Sequence, residues 1–387
     1  MRLLHTADWH LGRLFYGTYL TEDQAYVLEH QFFDILRDSN IDGIFLAGDV
    51  FDRSVPPIEA VELWDSIITK IAMDYKIPLF VIAGNHDGPE RIEVGRTMLA
   101  QSKVFVWGTP EHCQKPLLYD FEDGSAAICA IPFSEPRRIA HSLQDVFDDN
   151  NVAYHDYDFV YQQWSDYLVN QIPRGMRSIA LSHIFASGGE IGGSERTISV
   201  GASEVVKPSV FTPFNYTALG HLHRSQRMGS DYIRYSGSLL KYSFDEYTQN
   251  KSFTIVDMNT KGKVEIETIP IVSKRDVVVL EDYFDNLLNN ELLRKAHEND
   301  YVMVRLLDTT PVLDGMAKLR QCFPHCMTLE LVGRMEQQSV DVTEPIYRNL
   351  DERQLFCQFA KAVWKEPLSQ EQQAYMDRLW ERIVKED

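Results

Sequence analysis

The sequence predicts an α/β fold: a parallel sheet with helices packed on it, a second sheet after it, and a small α+β region with a helical tail beyond residue 273. Three observations carry this. Short apolar runs alternate with helical periodicities through the first part of the chain. Several of those runs stop abruptly at Asp, His or Asn. The plainest case is Leu46-Ala47-Gly48-Asp49-Val50-Phe51-Asp52-Arg53, where the run Ile41 to Ala47, broken only by Asp42 and Gly43, has the look of a buried parallel strand. In open α/β sheets ligands bind beyond the carboxyl ends of the strands, and Asp49 falls there.

The elements follow in order. Arg2 to His5 is a strand that runs into Asp8-Trp9-His10. Thr21-Glu22-Asp23-Gln24 has the form of a capping box, and Leu28, Phe32 and Ile35 share a helical face behind it. After the strand into Asp49, a helix begins past Pro56-Pro57 with Val61, Trp64, Ile68 and Ile71 inward. Leu79 to Ala83 is the next strand, and Gly84-Asn85-His86-Asp87 follows it. Residues 88–102 and most of 135–176 have helical patterns, with short strands near 103–107 and 126–131 and an acidic stretch from Asp145 to Asp158. Ser178 to Leu181 leads to His183, and then to a long Gly- and Ser-rich loop from Ser187 to Ser203, of a length that is often functional. Tyr216 to Leu219 leads to Gly220-His221-Leu222-His223. Runs at 232–237, 252–257 and 264–271 suggest that the second sheet is antiparallel.

A boundary falls near Ser273-Lys274-Arg275. Beyond it, strands at 277–280, 301–306 and 327–332 and helices at 284–297 and 311–322 outline the small region, 274–335. Residues 336–350 form a polar linker. Residues 351–387 carry two amphipathic helices, one with Leu355, Phe359 and Val363, the other capped by Ser369 with Met376, Leu379 and Ile383.

Composition narrows the class. The chain has 387 residues and ordinary apolar content, and no apolar run approaches the ~20 residues of a membrane span. It opens directly on a strand, with no signal peptide. Five scattered cysteines point to a reducing cytoplasm and not to a disulfide framework. Cys322 and Cys326, around Phe-Pro-His, are expected to be buried small hydrophobes and not a zinc site. The net charge of −19 opposes an extended nucleic-acid surface of the chain's own, because non-specific DNA affinity comes from Lys and Arg. Bound divalent cations would invert the local field, and a partner could supply a basic surface.

Five strand ends supplying Asp, His and Asn point to a two-metal site. Two cations about 3.5–4 Å apart clamp the attacking and leaving oxygens of a phosphate ester. Such a pair needs a shared ligand, and the two oxygens of Asp49 can serve. Mixed carboxylate, imidazole and amide donors without thiolate suit Mn, Fe or Zn better than Ca. His5 is expected to be a strand residue near the site. His30, His112, His141, His155, His297 and His325 lack ligand spacing.

Asp8-x-His10, Gly48-Asp49-x-x-Asp52-Arg53, Gly84-Asn85-His86-Asp87, His183 and Gly220-His221-x-His223, in this order, resemble the calcineurin-like metallophosphoesterase superfamily. The opening His-Thr-Ala-Asp-Trp-His-Leu-Gly, the late Ala-Leu-Gly-His-Leu-His-Arg, and Tyr235-Ser236-Gly237-Ser238 with Lys241-Tyr242-Ser243-Phe244 narrow the likeness to the nucleases of double-strand-break repair. The likeness covers the first ~270 residues; beyond them it rests on position and size. It implies a two-sheet α/β sandwich over 1–273, a DNA-binding cap over 274–335 and a partner-binding tail over 351–387. It also implies one metal held by Asp8, His10, Asp49 and His223, and a second by Asp49, Asn85, His183 and His221. His86 would protonate the leaving oxygen or stabilise the transition state. Asp52 would orient His86 through its carboxylate, although some archaeal relatives have histidine there. Arg53 would contact phosphate. Leu239 stands where many members have proline.

The family implies two Mn ions, exonuclease action on duplex ends, endonuclease action on single strands or hairpins, a homodimer, and a partner ATPase of the SbcC type gripped by the tail. Two other readings stand beside this one. A small-molecule phosphoesterase would not need the chain beyond residue 275. A degenerate scaffold would have lost ligands, whereas here every motif position is filled.

Overall fold

The computed structural model describes residues 1–143, 156–195 and 205–332, with 369, 372, 373, 375 and 376. The chain divides into two units, Met1–Leu307 with Pro311–Glu330, and Asp308–Thr310 with Leu331–Asp387. The linker, most of the tail, Cys357, His155, most of the acidic stretch and the end of the Gly/Ser loop lie outside the described residues.

The first unit begins with β1 (Arg2–Thr6) and a small hairpin, β2 (Leu14–Phe15) and β3 (Thr18–Tyr19). Next, α1 (Thr21–Tyr26) passes through a π turn into α2 (Phe33–Asp38). β4 (Gly43–Ala47), α3 (Ile58–Lys70) and β5 (Leu79–Ile82) follow. The 88–102 region is two short helices, α4 (Pro89–Ile92) and α5 (Arg96–Gln101), broken where Gly95 turns left-handed at φ 76°. β6 (Val104–Trp107), β7 (Leu117–Phe121) and β8 (Gly124–Ile131) come next, then α6 (Pro136–Ser142) and α7 (Tyr157–Val169). β9 (Arg177–His183) precedes the two-residue pair β10 (Phe185–Ala186) and β11 (Val205–Val206). β12 (Tyr216–Gly220), β13 (Gln226–Met228), β14 (Ser230–Tyr235), β15 (Ser252–Met258) and β16 (Val264–Pro270) complete the main body.

Two six-stranded sheets result, ordered β16-β15-β1-β4-β5-β6 and β13-β14-β12-β9-β8-β7. In the first, β1, β4, β5 and β6 are parallel. In the second, β14, β12, β9 and β8 are parallel. The period-2 alternation of strands sorts side chains to two cores. Leu3, Phe45, Phe80 and Ile82 face Ile128, Ile179, Leu181 and Ala218 of the other sheet. Leu4, Ile44, Leu46, Leu79 and Val81 point the other way, onto Leu28, Phe32, Leu63 and Ile67 of the helices. The fold is therefore the two-sheet sandwich expected.

The expected antiparallel second sheet is not what forms. β14 joins the second sheet parallel to β12, while β15 and β16 cross back and extend the first sheet antiparallel to β1. Alternation in β15 and β16 marked strands but carried no information about which edge they close. The capping box also fails. Thr21 is the first helical residue, Leu20 precedes it, and no side chain caps the turn. Gln24 and Asp23 are drawn away by tertiary partners. On α3 the buried face is Ala60, Leu63 and Ile67, and Val61 is 38% exposed. Trp64 and Ile68 sit at the edge of that face, half-buried, while Ile71 is buried as expected.

The small region follows its expected order: β17 (Val277–Asp282), α8 (Phe284–Asn289), α9 (Glu291–Ala296), β18 (Tyr301–Leu306), α10 (Gly315–Cys322) and β19 (Cys326–Leu331), in a sheet ordered β17-β18-β19. It is tied to α1 by charge. Asp23 accepts from Arg275 Nη1 at 2.9 Å and from the Tyr301 hydroxyl at 2.8 Å, and Lys241 pairs with Asp276 at 2.7 Å. Cys326 is buried and Cys322 half-buried, and neither enters a metal-capable group among the described residues. In the tail, Gln372 donates its backbone N–H to Ser369 Oγ at 3.3 Å, and Ser369 N–H donates back to Gln372 Oε1 at 2.9 Å. That reciprocal pair has the form of a capping box, and Ser369 is the cap expected there. Among the described residues no helix is long and apolar enough to cross a membrane.

The face of α3 can be read by truncation. Ile67→Ala should lower unfolding free energy by about 2–5 kcal/mol. Val61→Ala should stay within about 0.5 kcal/mol. Urea midpoints compare the two; equal losses would return Val61 to the core.

Candidate metal centre

The five strand ends seen in the sequence are the carboxyl ends of β1, β4 and β5 in one sheet and of β9 and β12 in the other. Parallel pairing brings these ends to one side of the sandwich. Beyond β1, β4 and β12 the backbone turns sharply. Asp8 (φ 52°), His10 (φ 46°), Asp49 (φ 49°) and His221 (φ 110°) all have positive φ, which a residue with a side chain adopts only when surroundings hold it. The holding bonds are visible. Asp8 N–H donates to Gly48 O at 3.0 Å, and His10 N–H to Asp49 O at 2.9 Å. Two glycines allow the approach. A Cβ on Gly48 would lie 2.3 Å from His183 Nδ1, and one on Gly220 would lie 1.8 Å from Ala47 O.

Asp49 is at the middle. Its Oδ2 lies 3.6 Å from His10 Nε2, 3.5 Å from His183 Nε2 and 4.0 Å from His86 Nε2, and its Oδ1 accepts the His86 N–H at 2.8 Å. On one side, Asp8, His10 and His223 present ligand atoms to one another, with His10 Nε2 and His223 Nε2 3.0 Å apart. On the other, Asn85 Oδ1 lies 2.9 Å from His183 Nε2 and 3.0 Å from His221 Nδ1. All seven expected ligands are thus in one cluster. Asp8, His10, Asp49, His183 and His223 are buried, and Asn85 and His221 are half-buried.

The donor set fits divalent cations. His183 Nδ1 donates to Ala47 O at 2.9 Å, so Nε2, which faces Asp49 and Asn85, is the nitrogen that would bind a cation once it gives up its proton. Two imidazole nitrogens 3.0 Å apart, as in His10 and His223, can share one proton or face a cation. Buried polar atoms without partners, His10 Nδ1 and the Asn85 amide nitrogen, lie in the same cluster. Among the protein groups alone the charges are strained. Burial raises the Asp8 carboxyl to about 7 and lowers His221 to about 3. Burial opposes charge on His183, but Asp49 beside it outweighs this and raises it to about 9. A cation held by Asp8 and Asp49 would relieve these conflicts by supplying positive charge.

His86 lies in the same cluster, with Nε2 4.0 Å from Asp49 Oδ2, and its support is not the one expected. Its Nδ1 donates to the backbone carbonyl of Asp52 at 2.8 Å. The Asp52 carboxylate does not reach it. That group instead accepts from Arg13 Nη1 at 2.8 Å and from Arg53 Nη2 at 3.3 Å. Two guanidiniums hold the buried carboxylate, whose Oδ1 lies 4.0 Å from His10 Nδ1, and the Asp52 peptide carbonyl is the group bonded to His86. Arg53 itself has a side chain 46% exposed and pairs with Asp52 among the described residues. Arg13, nearer the cluster, was not singled out by the sequence.

Other supporting groups were also missed. Asp87 accepts from the N–H groups of Val50, Phe51 and Gly84, lacing the Asp49 and Asn85 loops together. Gln24 donates to Trp9 O and His10 O at 2.9 and 2.8 Å, which locks the His10 loop. Leu239 N–H donates to Asp8 O at 3.4 Å, a contact proline could not make. Glu246 accepts from His223 Nδ1 at 3.2 Å and from Lys251 at 2.6 Å. Asp87 ends the Gly-Asn-His-Asp run, which was its one available signal; Gln24, Leu239 and Glu246 lie outside any ligand motif. His5 is buried between the Tyr216 hydroxyl and Leu219 O and takes no part.

Comparison with known proteins agrees with this geometry. Residues 1–225 match the family described as calcineurin-like phosphoesterase, and residues 273–363 match one described as type 5 capsule protein repressor C-terminal domain. A curated relative, the D subunit of the nuclease SbcCD from Staphylococcus epidermidis, is 29% identical over 372 residues, 96% of each chain. The crystal structure of TT1561 of Thermus thermophilus overlays on 69% of this chain and 98% of its own, at TM-score 0.37 and 11% identity, too distant to bear on the argument.

The shared position of Asp49 sets an expectation. Asp49→Ala should remove nearly all bound metal, whereas His10→Ala should leave about one ion per chain. Metal analysis of the dialysed proteins distinguishes them, and equal losses would end the assignment of Asp49 as a bridge.

Proposed function

The chain belongs to the calcineurin-like phosphoesterase family, and from that premise we propose that it is the nuclease subunit of an SbcCD-type complex, cleaving DNA phosphodiester bonds with an SbcC-type ATPase as partner. The observation that carries the reading is the single cluster of two carboxylates, four imidazoles and an amide around Asp49. The curated relative's full-length match supports the nuclease role over a small-molecule phosphoesterase. We assign Asp8, His10, Asp49 and His223 to one metal and Asp49, Asn85, His183 and His221 to the other, with Mn as the ion.

Two bound cations would neutralise charge on a phosphodiester and lower the pKa of water. The chain's own groups do the rest. Asp49 sets the spacing of the two halves. His86 offers Nε2 toward the centre while its other nitrogen is held by Asp52 O, so a proton on Nε2 can pass to the leaving oxygen. Arg13 and Arg53 bracket the Asp52 carboxylate at the rim, and Arg53 is exposed enough to meet phosphate.

Residues 274–335 would cap the nuclease domain, 1–273, and contact DNA. The 351–387 tail beyond the 336–350 linker would grip the ATPase, as amphipathic helices on a tether bind a coiled coil. The chain would act as a homodimer in the cytoplasm. Its charge of −19 fits a subunit that takes part of its DNA affinity from the partner.

The direct test is a nuclease assay with Mn²⁺ on hairpin DNA, with and without the ATPase. Cleavage of the hairpin by the chain, and ATP-dependent attack on duplex ends only with the partner, are expected; hydrolysis of small phosphomonoesters alone would overturn the reading. His86→Ala should keep both metals and lose about two to four orders of magnitude in cleavage rate. Asp52→Asn, which keeps the orienting carbonyl, should lose less than about tenfold, within the reach of an ion pair at the rim. A matching loss in the two variants would restore the orienting role to the Asp52 carboxylate. Truncation after residue 345 should abolish co-purification with the ATPase while hairpin cleavage persists. Unimpaired co-purification would remove the docking role.

A further inference from the structure

Behind His223 lies a pair of buried, oppositely charged side chains that no ligand motif includes. Glu246 has 0% of its surface exposed and Lys251 6%. Lys251 Nζ donates to Glu246 Oε2 at 2.6 Å, to His223 O at 2.8 Å and to Gln249 Oε1 at 2.8 Å, which uses all three ammonium protons. The other carboxylate oxygen, Oε1, faces His223 Nδ1 at 3.2 Å. Ser194 Oγ lies between them, 2.6 Å from His223 Nδ1 and hydrogen-bonded to Glu246. Tyr242 N–H donates to Oε2 at 3.3 Å, and the His223 N–H is taken by Glu195 Oε1 at 2.9 Å. His223 is therefore gripped at its ring, its N–H and its carbonyl. Lys251 holds the carbonyl directly and the ring through Glu246.

We propose that Glu246 and Lys251 are positioning residues of the metal centre, which fix the tautomer and the angle of His223 so that Nε2 presents a lone pair beside Asp8 and His10. The proposal rests on the ligand assignment given above. A histidine can bind a cation through Nε2 only if its proton sits on Nδ1, and an acceptor at Nδ1 keeps it there. Glu246 is such an acceptor at 3.2 Å, and it also takes the hydroxyl proton of Ser194, which leaves the nearer Ser194 Oγ, 2.6 Å from Nδ1, free to accept as well. A carboxylate with no exposed surface needs a charge partner to stay ionised, and Lys251 supplies it. A buried ion pair is weak evidence for stability, since apolar residues of the same volume commonly serve as well. Here the pair has a directional task that apolar residues could not perform. Its distance from the histidine in sequence explains why spacing did not disclose it.

The test uses the whole chain and reads metal binding and not cleavage. Glu246→Gln combined with Lys251→Met removes both charges together, so that neither is left alone in the interior. Mn²⁺ titration by calorimetry, with metal counts after dialysis, is expected to show one of the two ions bound about 10–100-fold more weakly and the other unchanged. The metal-free melting temperature should remain near that of the parent. A pair that only braced the loop would lower that melting temperature and leave both affinities alone, and this result overturns the proposal. If the double variant does not fold, Glu246→Gln by itself decides. It keeps the shape, but its amide can turn either an oxygen or an N–H toward His223 Nδ1 and so no longer dictates the tautomer, and unchanged Mn²⁺ affinity there also overturns the proposal. A parent chain that binds no Mn²⁺ defeats the ligand assignment itself, and the proposal falls with it.

Discussion

The arrangement depends on the Asp49 carboxylate, held beyond the end of β4 with positive φ. Nearly every functional distance is measured to it. One oxygen accepts the His86 N–H, which ties down the loop that carries Asn85. The other faces imidazoles from both sheets, His10 from one and His183 from the other. A single carboxylate can hold so many groups of one chemistry together only because it is buried. At 2% exposure it has little water to compete for its lone pairs, and its attractions are correspondingly strong. Burial opposes its charge, yet His183, His86 and His10 outweigh this and keep its carboxyl well below the usual carboxylate range.

Placing such a cluster in the interior strains the backbone. Asp8, His10, Asp49 and His221 sit at positive φ, and the loops that carry them need outside support. Asp87, Gln24 and the Glu246–Lys251 pair give that support through backbone N–H and C=O groups. Asp87 is itself raised to about 7 by burial and by Asp49, so it accepts three N–H bonds from a position where a carboxylate is hard to ionise. The centre is thus a nest of buried polar groups in which each layer satisfies the one inside it. A missing partner at any level leaves a desolvated group unpaired.

The same helix that locks the His10 loop also meets the small region. Asp23 and Gln24 are adjacent on α1, one bound to Arg275 and Tyr301, the other to Trp9 O and His10 O. Their residue types suggested the start of a helix, and the helix does start there. What they bind is set by partners 252 and 278 positions later in the chain for Asp23 and by the preceding loop for Gln24. A local capping bond is worth about 1 kcal/mol, and a buried network with charge-assisted bonds can exceed it.

The sequence by itself determined the strand ends and the residues that gather in the candidate centre. Asp8, His10, Asp49, Asn85, His86, His183, His221 and His223 all fall just past apolar runs, and parallel strands with a common direction must bring such positions to one edge. It also determined the order of the small region, where alternation and helical periodicity are strong and local. Only the tertiary structure decided how β14, β15 and β16 are shared between the sheets, because alternation reports a buried face but not a neighbour. Only it replaced the Asp52 carboxylate by the Asp52 carbonyl as the partner of His86, because two arginines compete for the former. The face of α3 and the pairing of Glu246 with Lys251 were likewise settled by packing. Ligand spacing is written in a few consecutive residues, whereas the groups that hold the ligands are chosen by proximity in space.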